Sequence, residues 1–448
     1  MLSKNRPVPD SANQPKAQPL PPPTDSATGK TPSPRLWRHH DFRALWVGDT
    51  ISQVGTQLSV FVLPVLAIQT LGAQEAQLGM LTACETAAFL LVGLPAGAWV
   101  DRWRKRRVLI VNDLLRAVLF ASVPVAWWFD VLSLAQLFVV AALVGVCTVF
   151  FEVAYQSYLP HLLDSDQLVP GNARLQASQS VAQAAGPAVA GGLLRYASAP
   201  LIIFLNALSF LGSAVFLARI RSCEERQTRS GRRRLRTEVA EGLRFVLTHP
   251  LLRRITACTS LNNFFASASS ALFALYLLRD LDLSTSTLGL VYSASAVGGI
   301  AGAALSGRVT RLLGEGRAIP VAALLSVPGS ALTPLAAHVT ATWRPLLLIA
   351  GGFLSFAAVI IYNITQVSYR QRVTPPDLLG RMNASVRFLV WGTQPLGALA
   401  GGALGATLGI LPTMWLITAG GFVAALPVVL SPLSRMRDLP RTDSEPIH

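Results

Sequence analysis

The chain has 448 residues, 52% of them hydrophobic and 14% charged, with a formal net charge of +15 and a mean hydropathy of +0.46. Soluble domains carry about a quarter charged residues, so this composition excludes an ordinary soluble enzyme. Repeated apolar stretches of about 20 residues imply a polytopic membrane protein, and the basic residues sit between those stretches, a membrane pattern rather than a nucleic-acid patch.

Residues 1–40 hold Pro, Ser and basic residues without an apolar run, and are predicted to be a disordered cytoplasmic tail. They show no signal-peptide core or cleavage site, so the first apolar segment is expected to act as the signal anchor. Twelve apolar segments follow, at about 44–69, 77–99, 108–129, 133–156, 174–195, 200–219, 255–278, 286–307, 318–338, 345–367, 384–408 and 412–433. Only helices and closed barrels satisfy backbone groups in lipid, and runs this long are helices. The predicted class is an all-α polytopic membrane protein with twelve transmembrane helices. Segments five and eleven are Gly- and Ala-rich, which suits close helix packing. Cys84, Cys147, Cys223 and Cys258 show neither metal nor disulfide spacing and read as packing residues.

The pattern is doubled. Leu78-Gly79 recurs as Leu288-Gly289, Gly97 as Gly307 and Gly191-Gly192 as Gly401-Gly402, each 210 residues on. Ser157-Tyr158 and Asn172-Ala173 recur as Ser368-Tyr369 and Asn383-Ala384, 211 residues on. A constant offset along the chain means a duplicated unit, and a duplicated helical membrane protein points to a transporter of two packed halves. The expected layout is a six-helix half at 41–220, a linker at 221–253, a second half at 254–434 and a cytoplasmic tail at 435–448.

Orientation follows from the basic residues. Arg195, Arg279 and Arg344 fall in loops on one side, Arg116 and Arg387 fall within segments, and the remaining Lys and Arg fall on the other side. The positive-inside rule makes that side cytoplasmic and places both termini there. In the linker, Arg229, Arg232, Arg233, Arg234 and Arg236 precede or adjoin Glu238, Val239, Glu241, Leu243 and Phe245. The pattern fits either an amphipathic helix on the inner membrane surface or a solvated basic linker.

Between segments two and three the chain reads Gly97-Ala-Trp-Val-Asp101-Arg102-Trp-Arg104-Lys105-Arg106-Arg107. This resembles the loop signature Gly-x-x-x-Asp-Arg-x-Gly-x-Arg-Arg of the major facilitator superfamily, with Arg104 where that family usually has Gly. The resemblance implies a latch on the outward-facing state, formed by Gly97, Asp101, Arg102, Lys105 and Arg106. In the second copy Asp101 becomes Arg311 and Arg104 becomes Gly314, so the latch is expected to be stronger in the first half. Tyr158-Leu-Pro160-His161, Leu168-Val-Pro170-Gly-Asn172-Ala173, and Arg370-Gln371-Arg372 with Pro375, Pro376, Gly380 and Arg381 resemble the drug and siderophore exporters of this superfamily, among them macrolide-efflux and enterobactin-export relatives. Gly186-Pro187-Ala-Val-Ala190-Gly191 resembles the antiporter motif Gly-Pro-x-x-Gly-Gly, with Ala190 in place of a Gly. It implies export against an ion gradient, although Gly-Pro also serves helix packing alone. The resemblance covers 41–434.

Charges inside spans cost about 2.5–3.5 kcal/mol each and need a reason. Asp49, Glu85, Asp113 and Glu152 qualify, and their second-half counterparts Thr259, Ser295, Ala323 and Tyr362 do not ionise as acids of this kind. Proton coupling is therefore expected in the first half. Asp49 and Asp113 are placed about 8–9 Å from the inner ends of their segments. Asp113 and Arg116 share a helix face and read either as a structural ion pair or as part of a proton carrier. Glu152, near the inner end of segment four, is expected to pair with Lys105 or Arg106 in the latch. Asp49 and Glu85 have no partner in sequence, which suits groups that bind and release protons. Arg387 is read as snorkelling to the inner surface.

Substrate-cavity candidates are Gln53, Gln57, Asn206, Asn262, Asn263, Tyr292, Asn363, Gln366, Trp391 and Gln394; each amide alternatively bonds a neighbouring helix. The expected function is proton-coupled efflux of amphiphilic drugs or secondary metabolites by alternating access, with siderophore export as a variant and proton-coupled uptake as the competing direction. The six histidines, 39, 40, 161, 249, 338 and 448, lie at span ends, in loops or in tails. No catalytic set, metal site or cofactor is expected, and no Gly-x-x-x-x-Gly-Lys-Ser/Thr loop for ATP is present. The chain is expected to work as a monomer, multi-pass, in a bacterial inner membrane, with a small amphiphile, protons and lipid as partners and no nucleic acid.

Overall fold

A computed structural model describes residues 39–100, 102–163, 165–221, 235–375 and 378–437. Asp101 of the latch, the basic run 222–234 and both tails lie outside the described residues. The helices are α1 (His40–Leu71), α2 (Glu75–Leu91), α3 (Gly93–Val100), α4 (Lys105–Trp128), α5 (Leu134–Leu162), α6 (Ser165–Leu193) and α7 (Ala199–Ala218) in the first half. Then come α8 (Leu235–Thr248) in the linker and α9 (Pro250–Leu275), α10 (Thr285–Leu313), α11 (Glu315–Leu335), α12 (Arg344–Val373), α13 (Leu379–Trp391), α14 (Thr393–Leu408) and α15 (Ile410–Val429) in the second.

Among the described residues, nine helices are long and apolar enough to cross a membrane alone. The other three of the twelve spans are α2–α3, α6 and α13–α14. Two of them are broken, at Val92 and Gly392, and the breaks meet: a Cβ on Gly392 would lie 2.9 Å from Leu90 Cδ1. The third, α6, carries Gln167, Asn172, Gln176, Gln179 and Gln183 on an otherwise small-residue helix. Large apolar side chains such as Val118, Val181, Leu312 and Phe422 are exposed on the outside of the bundle, the surface a lipid phase would cover.

Helices outrun the apolar segments. α1 starts at His40 rather than 44, α5 runs to Leu162 rather than 156, and α6 starts at Ser165 rather than 174. Backbone hydrogen bonding continues past the apolar run where polar side chains reach water. Asp49 and Asp113 lie about 14 and 12 Å from the starts of their helices, and Glu152 about 15 Å before the end of α5, because the helices extend past the apolar runs.

The duplicated glycines explain themselves here. Gly79 on α2 meets Gly402 on α14, where a Cβ on Gly79 would sit 2.8 Å from Gly402 Cα and 2.7 Å from the Ala398 carbonyl oxygen. Gly191 on α6 meets Gly289 on α10, its Cβ position 3.3 Å from Gly289 Cα and 2.6 Å from the Thr285 carbonyl oxygen. These are the two seams between the halves, related by the repeat, and only glycine permits backbones this close. Both lie at the end opposite the termini. Arg279 adds a third crossing there, donating to Gln74 Oε1 at 3.0 Å and to the Ala73 carbonyl at 3.4 Å. At the terminal end, α7 returns to the start of α1, with the Arg221 N–H donating to Asp41 Oδ1 at 3.0 Å.

α8 docks on α13. Val246 is fully buried beside Met382, Val386 and Val390, Glu241 pairs with Arg381, and a Cβ on Gly242 would lie 2.6 Å from Ser385 Oγ. Its apolar face is thus turned to protein.

Candidate functional site

Apart from Glu85, the intramembrane charges singled out above gather into two groups. The first lies inside the amino-terminal half. Asp113 and Arg116 form an ion pair in which both side chains are buried. The Arg116 guanidinium lies between two rings, 4.3 Å from the Phe151 centroid on α5 and 4.4 Å from Phe210 on α7. Phe210 is itself stacked on Phe120 at 5.8 Å. Asp49 on α1, expected to stand alone, belongs to this group: Gln53 and Tyr155 are its polar neighbours, and it lies within electrostatic range of Asp113 and Arg116. Asp113 Oδ2 and Arg116 Nε have no hydrogen-bond partner. Two carboxylates and one guanidinium thus share an enclosure of aromatic rings and neutral polar side chains, with unused donor and acceptor capacity.

The second group crosses between the halves. Glu152 on α5 pairs with Arg387 on α13, not with Lys105 or Arg106 as expected. Arg106 is engaged elsewhere, its Nε donating to the Leu217 carbonyl at 3.1 Å and its Nη2 to Ala218, at the carboxyl end of α7. Arg387 does not snorkel to the surface. Its guanidinium lies 4.3 Å from the Trp391 ring and 5.7 Å from Phe89, and those rings meet edge-on at 4.4 Å. Glu152 also lies within electrostatic range of Arg116. The two groups therefore adjoin through α5, which carries Phe151, Glu152 and Tyr155.

The second half keeps three of the four positions polar but uncharged, with Ala323 in place of Asp113. Thr259 and Tyr362, the counterparts of Asp49 and Glu152, hydrogen-bond to each other at 2.8 Å. Cys258, Asn262, Ser326 and Tyr362 line a void of about 10 Å³ inside that half, room for one water.

The remaining candidates divide. Asn206 is fully buried and bonds Ser59 Oγ at 2.6 Å, so it joins α7 to α1 rather than lining a cavity. Asn262 faces the small void just described. Asn263 donates to the Thr259 carbonyl and accepts from Gln394 Nε2 at 3.1 Å, linking α9 to α14. Gln57 packs against Gly186, whose Cβ position lies 2.6 Å from Gln57 Cβ. Gln366 is buried with its Oε1 unpartnered, and Asn363 is half-buried on the same helix. Trp391 carries Arg387. Tyr292 stands between Phe61 and Phe273, at centroid distances of 5.9 and 5.4 Å. Glu85 has neither an ion pair nor a side-chain hydrogen bond among the described residues.

Gly186, Pro187 and Gly191 form the α6 side of one seam. The Pro187 carbonyl lies against Gly289, and the Ala188 N–H donates to Ser293 Oγ at 3.0 Å. Gly97 has open space around it, and Arg102 is exposed while Lys105 is buried.

Tyr155, Phe151 and Phe210 were not among the residues singled out from sequence. The signal for Tyr155 was its place three residues after Glu152 on a helix face; the rings gave none, because aromatic residues in an apolar run look like core.

A family model described as the Major Facilitator Superfamily matches residues 45–392. The multidrug efflux pump Tap of Mycolicibacterium fortuitum is 25% identical over 406 residues, covering 89% of this chain and 96% of that protein. The enterobactin exporter EntS of Salmonella choleraesuis is 24% identical over 420 residues, covering 90% and 96%. Among solved structures, a bacterial homologue of the iron transporter ferroportin in an inward-facing state superposes with a TM-score of 0.70 at 17% identity, covering 90% of this chain and all of that one.

Proposed function

This chain belongs to the major facilitator superfamily, and we propose that it is a proton-coupled exporter of amphiphilic small molecules working by alternating access. Its similarity to Tap and EntS supports outward transport. The observation that carries the coupling mechanism is the enclosure shared by Asp49, Asp113 and Arg116. Fully ionised, the three sum to one negative charge; a single proton makes them neutral. A buried net charge is costly, so proton entry and exit change the set by the amount that separates a tolerable burial from an intolerable one. Arg116 is the moving balance. With Asp49 protonated it serves Asp113; with Asp49 ionised it is drawn toward two carboxylates, and Glu152 beside it loses part of its field. Glu152 holds Arg387 of the other half, which ties the proton state to the contact between halves.

With both termini read as cytoplasmic, the glycine seams close the outer end, which supports an arrangement closed to the outside. The Gly186–Gly191 stretch then acts as one lip of that seal. Siderophore export is a variant of the same reading, favoured by the similarity to EntS over nearly the whole chain.

The test is protein-driven export, read as accumulation in the lumen of energised inverted vesicles, over a panel of amphiphilic antibiotics, dyes and a siderophore, comparing wild type with Asp49→Asn, with and without a protonophore. The expected result is protonophore-sensitive efflux in wild type and none in the variant. Efflux that keeps its protonophore sensitivity in Asp49→Asn removes the coupling assignment.

A further inference from the structure

α6 presents two exposed rows of opposite chemistry. Asn172, Gln176, Gln179 and Gln183 recur at helical spacing; at about 100° per residue they fall within an arc of about 60°. Three of them are exposed and Gln179 is half-buried. Ala173, Ala177, Val181 and Ala185, each four residues after the last, form the second row, and all are exposed. The neighbours of α6 separate the two. Toward α1, a Cβ on Gly171 would lie 3.5 Å from the Phe42 ring, the Trp46 Nε1–H donates to Ser178 Oγ at 2.9 Å, and Gly186 meets Gln57. Toward α10, Pro187 and Gly191 meet Gly289, and the Ala188 N–H donates to Ser293 Oγ. Around the helix axis the amides fall in one gap between these two contact sides, and the apolar row falls in the other.

Because α1 and α10 belong to different halves, one gap faces lipid and the other faces the space between the halves. An amide turned to hydrocarbon loses its water with nothing to replace it, whereas alanine and valine lose nothing there. The apolar row is thus the lipid face, and the amide row lines the space between the halves over about 16 Å. The row is also unengaged. Asn172 donates to the Leu168 carbonyl of its own helix at 3.0 Å, but Gln176, Gln179 and Gln183 make no side-chain hydrogen bond among the described residues. Their counterparts 211 residues on are Arg387, Val390 and Gln394. Arg387 is held by Glu152, Gln394 by Asn263, and Val390 is buried. The second half uses these positions for its own packing; the first half leaves them open.

A glutamine side chain offers two donors and an acceptor oxygen and carries no charge. A row of them at steps of about 5–6 Å gives an ion no counter-charge and an apolar surface no partner. It does replace the water around hydroxyl groups, which donate and accept at once as each amide does. Resting on the exporter reading above, we propose that Gln176, Gln179 and Gln183, with Asn172 at the end away from the seam, determine specificity for an uncharged amphiphile whose polar edge carries hydroxyl groups, of the glycoside kind.

The probes are radiolabelled digitoxin, a steroid carrying three sugars, and its sugar-free aglycone digitoxigenin, bound to the purified full-length protein in lipid nanodiscs with empty nanodiscs subtracted. Wild type is expected to bind the glycoside at least tenfold more tightly, which is about 1.4 kcal/mol. Gln176→Leu, Gln179→Leu and Gln183→Leu together should remove that preference by weakening digitoxin alone, and the three Gln→Asn changes should keep it within a few-fold. Monodisperse elution on size exclusion verifies each fold; should the triple variant not fold, Gln179→Leu alone is expected to weaken digitoxin several-fold. In a background without native cysteines, Gln176→Cys, Gln179→Cys and Gln183→Cys should react with a charged methanethiosulfonate at least tenfold faster than Ala177→Cys and Val181→Cys. Equal binding of the two probes by wild type, a preference that survives in the folded leucine variants, or equal reactivity of the two rows overturns the proposal. Digitoxin bound with this preference but not accumulated by energised inverted vesicles removes the exporter reading and leaves the row as a binding site. Accumulation of other amphiphiles without the preference removes the row and leaves the exporter.

Discussion

Gly79→Ala places a methyl group into the seam between α2 and α14. Its carbon would lie 2.7 Å from the Ala398 carbonyl oxygen and 2.8 Å from Gly402 Cα, about 0.7 Å short of ordinary van der Waals contact. Both obstacles are backbone atoms, so no side-chain rotation relieves them; the seam must widen. Overpacking of this size costs about 1–3 kcal/mol. The cost falls only on the state in which the seam is closed, because the methyl group has no such neighbour once the two halves part at that end. The equilibrium should therefore shift about 5- to 150-fold toward opening at the end opposite the termini. Gly289→Ala, the repeat-related change at the other seam, should act in the same direction, and the two should add because the seams share no residues. The assay is a pulsed electron paramagnetic resonance distance between spin labels at Asp130 and Thr340, exposed positions on that end of the two halves, in a background with the four native cysteines replaced. A longer distance population should grow in each variant. A distribution identical to wild type, or one shifted to shorter distance, refutes the seam as the closing contact.

Arg116→Gln leaves Asp113 buried without its cation and should destabilise the purified protein by about 3–5 kcal/mol, whereas the pair Asp113→Asn with Arg116→Gln should recover much of that loss; thermal unfolding in detergent measures both, and an Arg116→Gln variant as stable as wild type would contradict the buried pair. Glu152→Arg or Arg387→Glu alone should impair efflux, and the two together should restore part of it, since the exchanged pair can re-form across the halves; failure of the double exchange to outperform either single change argues against the contact. His249 precedes α9, and its Nδ1 accepts the Leu252 N–H at 3.2 Å. Burial lowers its pKa below the ordinary 6.5, so the folded state favours the neutral ring: the cap is present above 6.5 and is lost as pH falls through the lowered folded value. Losing it should cost about 0.5–2 kcal/mol, read as faster amide exchange at the α8–α9 junction at low pH after correction for intrinsic rates, and His249→Asn should remove that pH dependence.

Much of this architecture was readable in advance. Span count followed from apolar run length, because lipid leaves helices as the one open-chain solution. The duplication followed from glycine pairs at one constant offset. The broken spans were less readable, since Val92 and Gly392 sit within runs that look continuous. Asp113 and Arg116 pair as their spacing on one helix face implies, whereas Glu152 and Arg387 were assigned otherwise. Glu152 was expected to meet Lys105 or Arg106, near it in topology, and instead meets Arg387, 235 residues away in sequence. Arg387 looked like a surface-seeking arginine because sequence does not show that Glu152 and the Trp391 ring come to its guanidinium. Asn206 looked like a cavity residue because sequence does not say which face of α7 meets α1.

What the chain by itself determined are quantities set by local or periodic terms: helix, span length, the two-fold repeat and the confinement of buried acids to one half. What only the tertiary structure decided are the contacts between distant helices. The glycines of Leu78-Gly79 and Gly191-Gly192 acquire a purpose only when α2 meets α14 and α6 meets α10, since a missing Cβ matters only where another backbone comes to fill its place. Asp49 and Asp113 become one charge set only because α1 and α4 bring them to the same arginine. The physical reason is common to both: hydrophobicity acts on each residue separately, whereas close packing and charge pairing depend on which neighbour arrives.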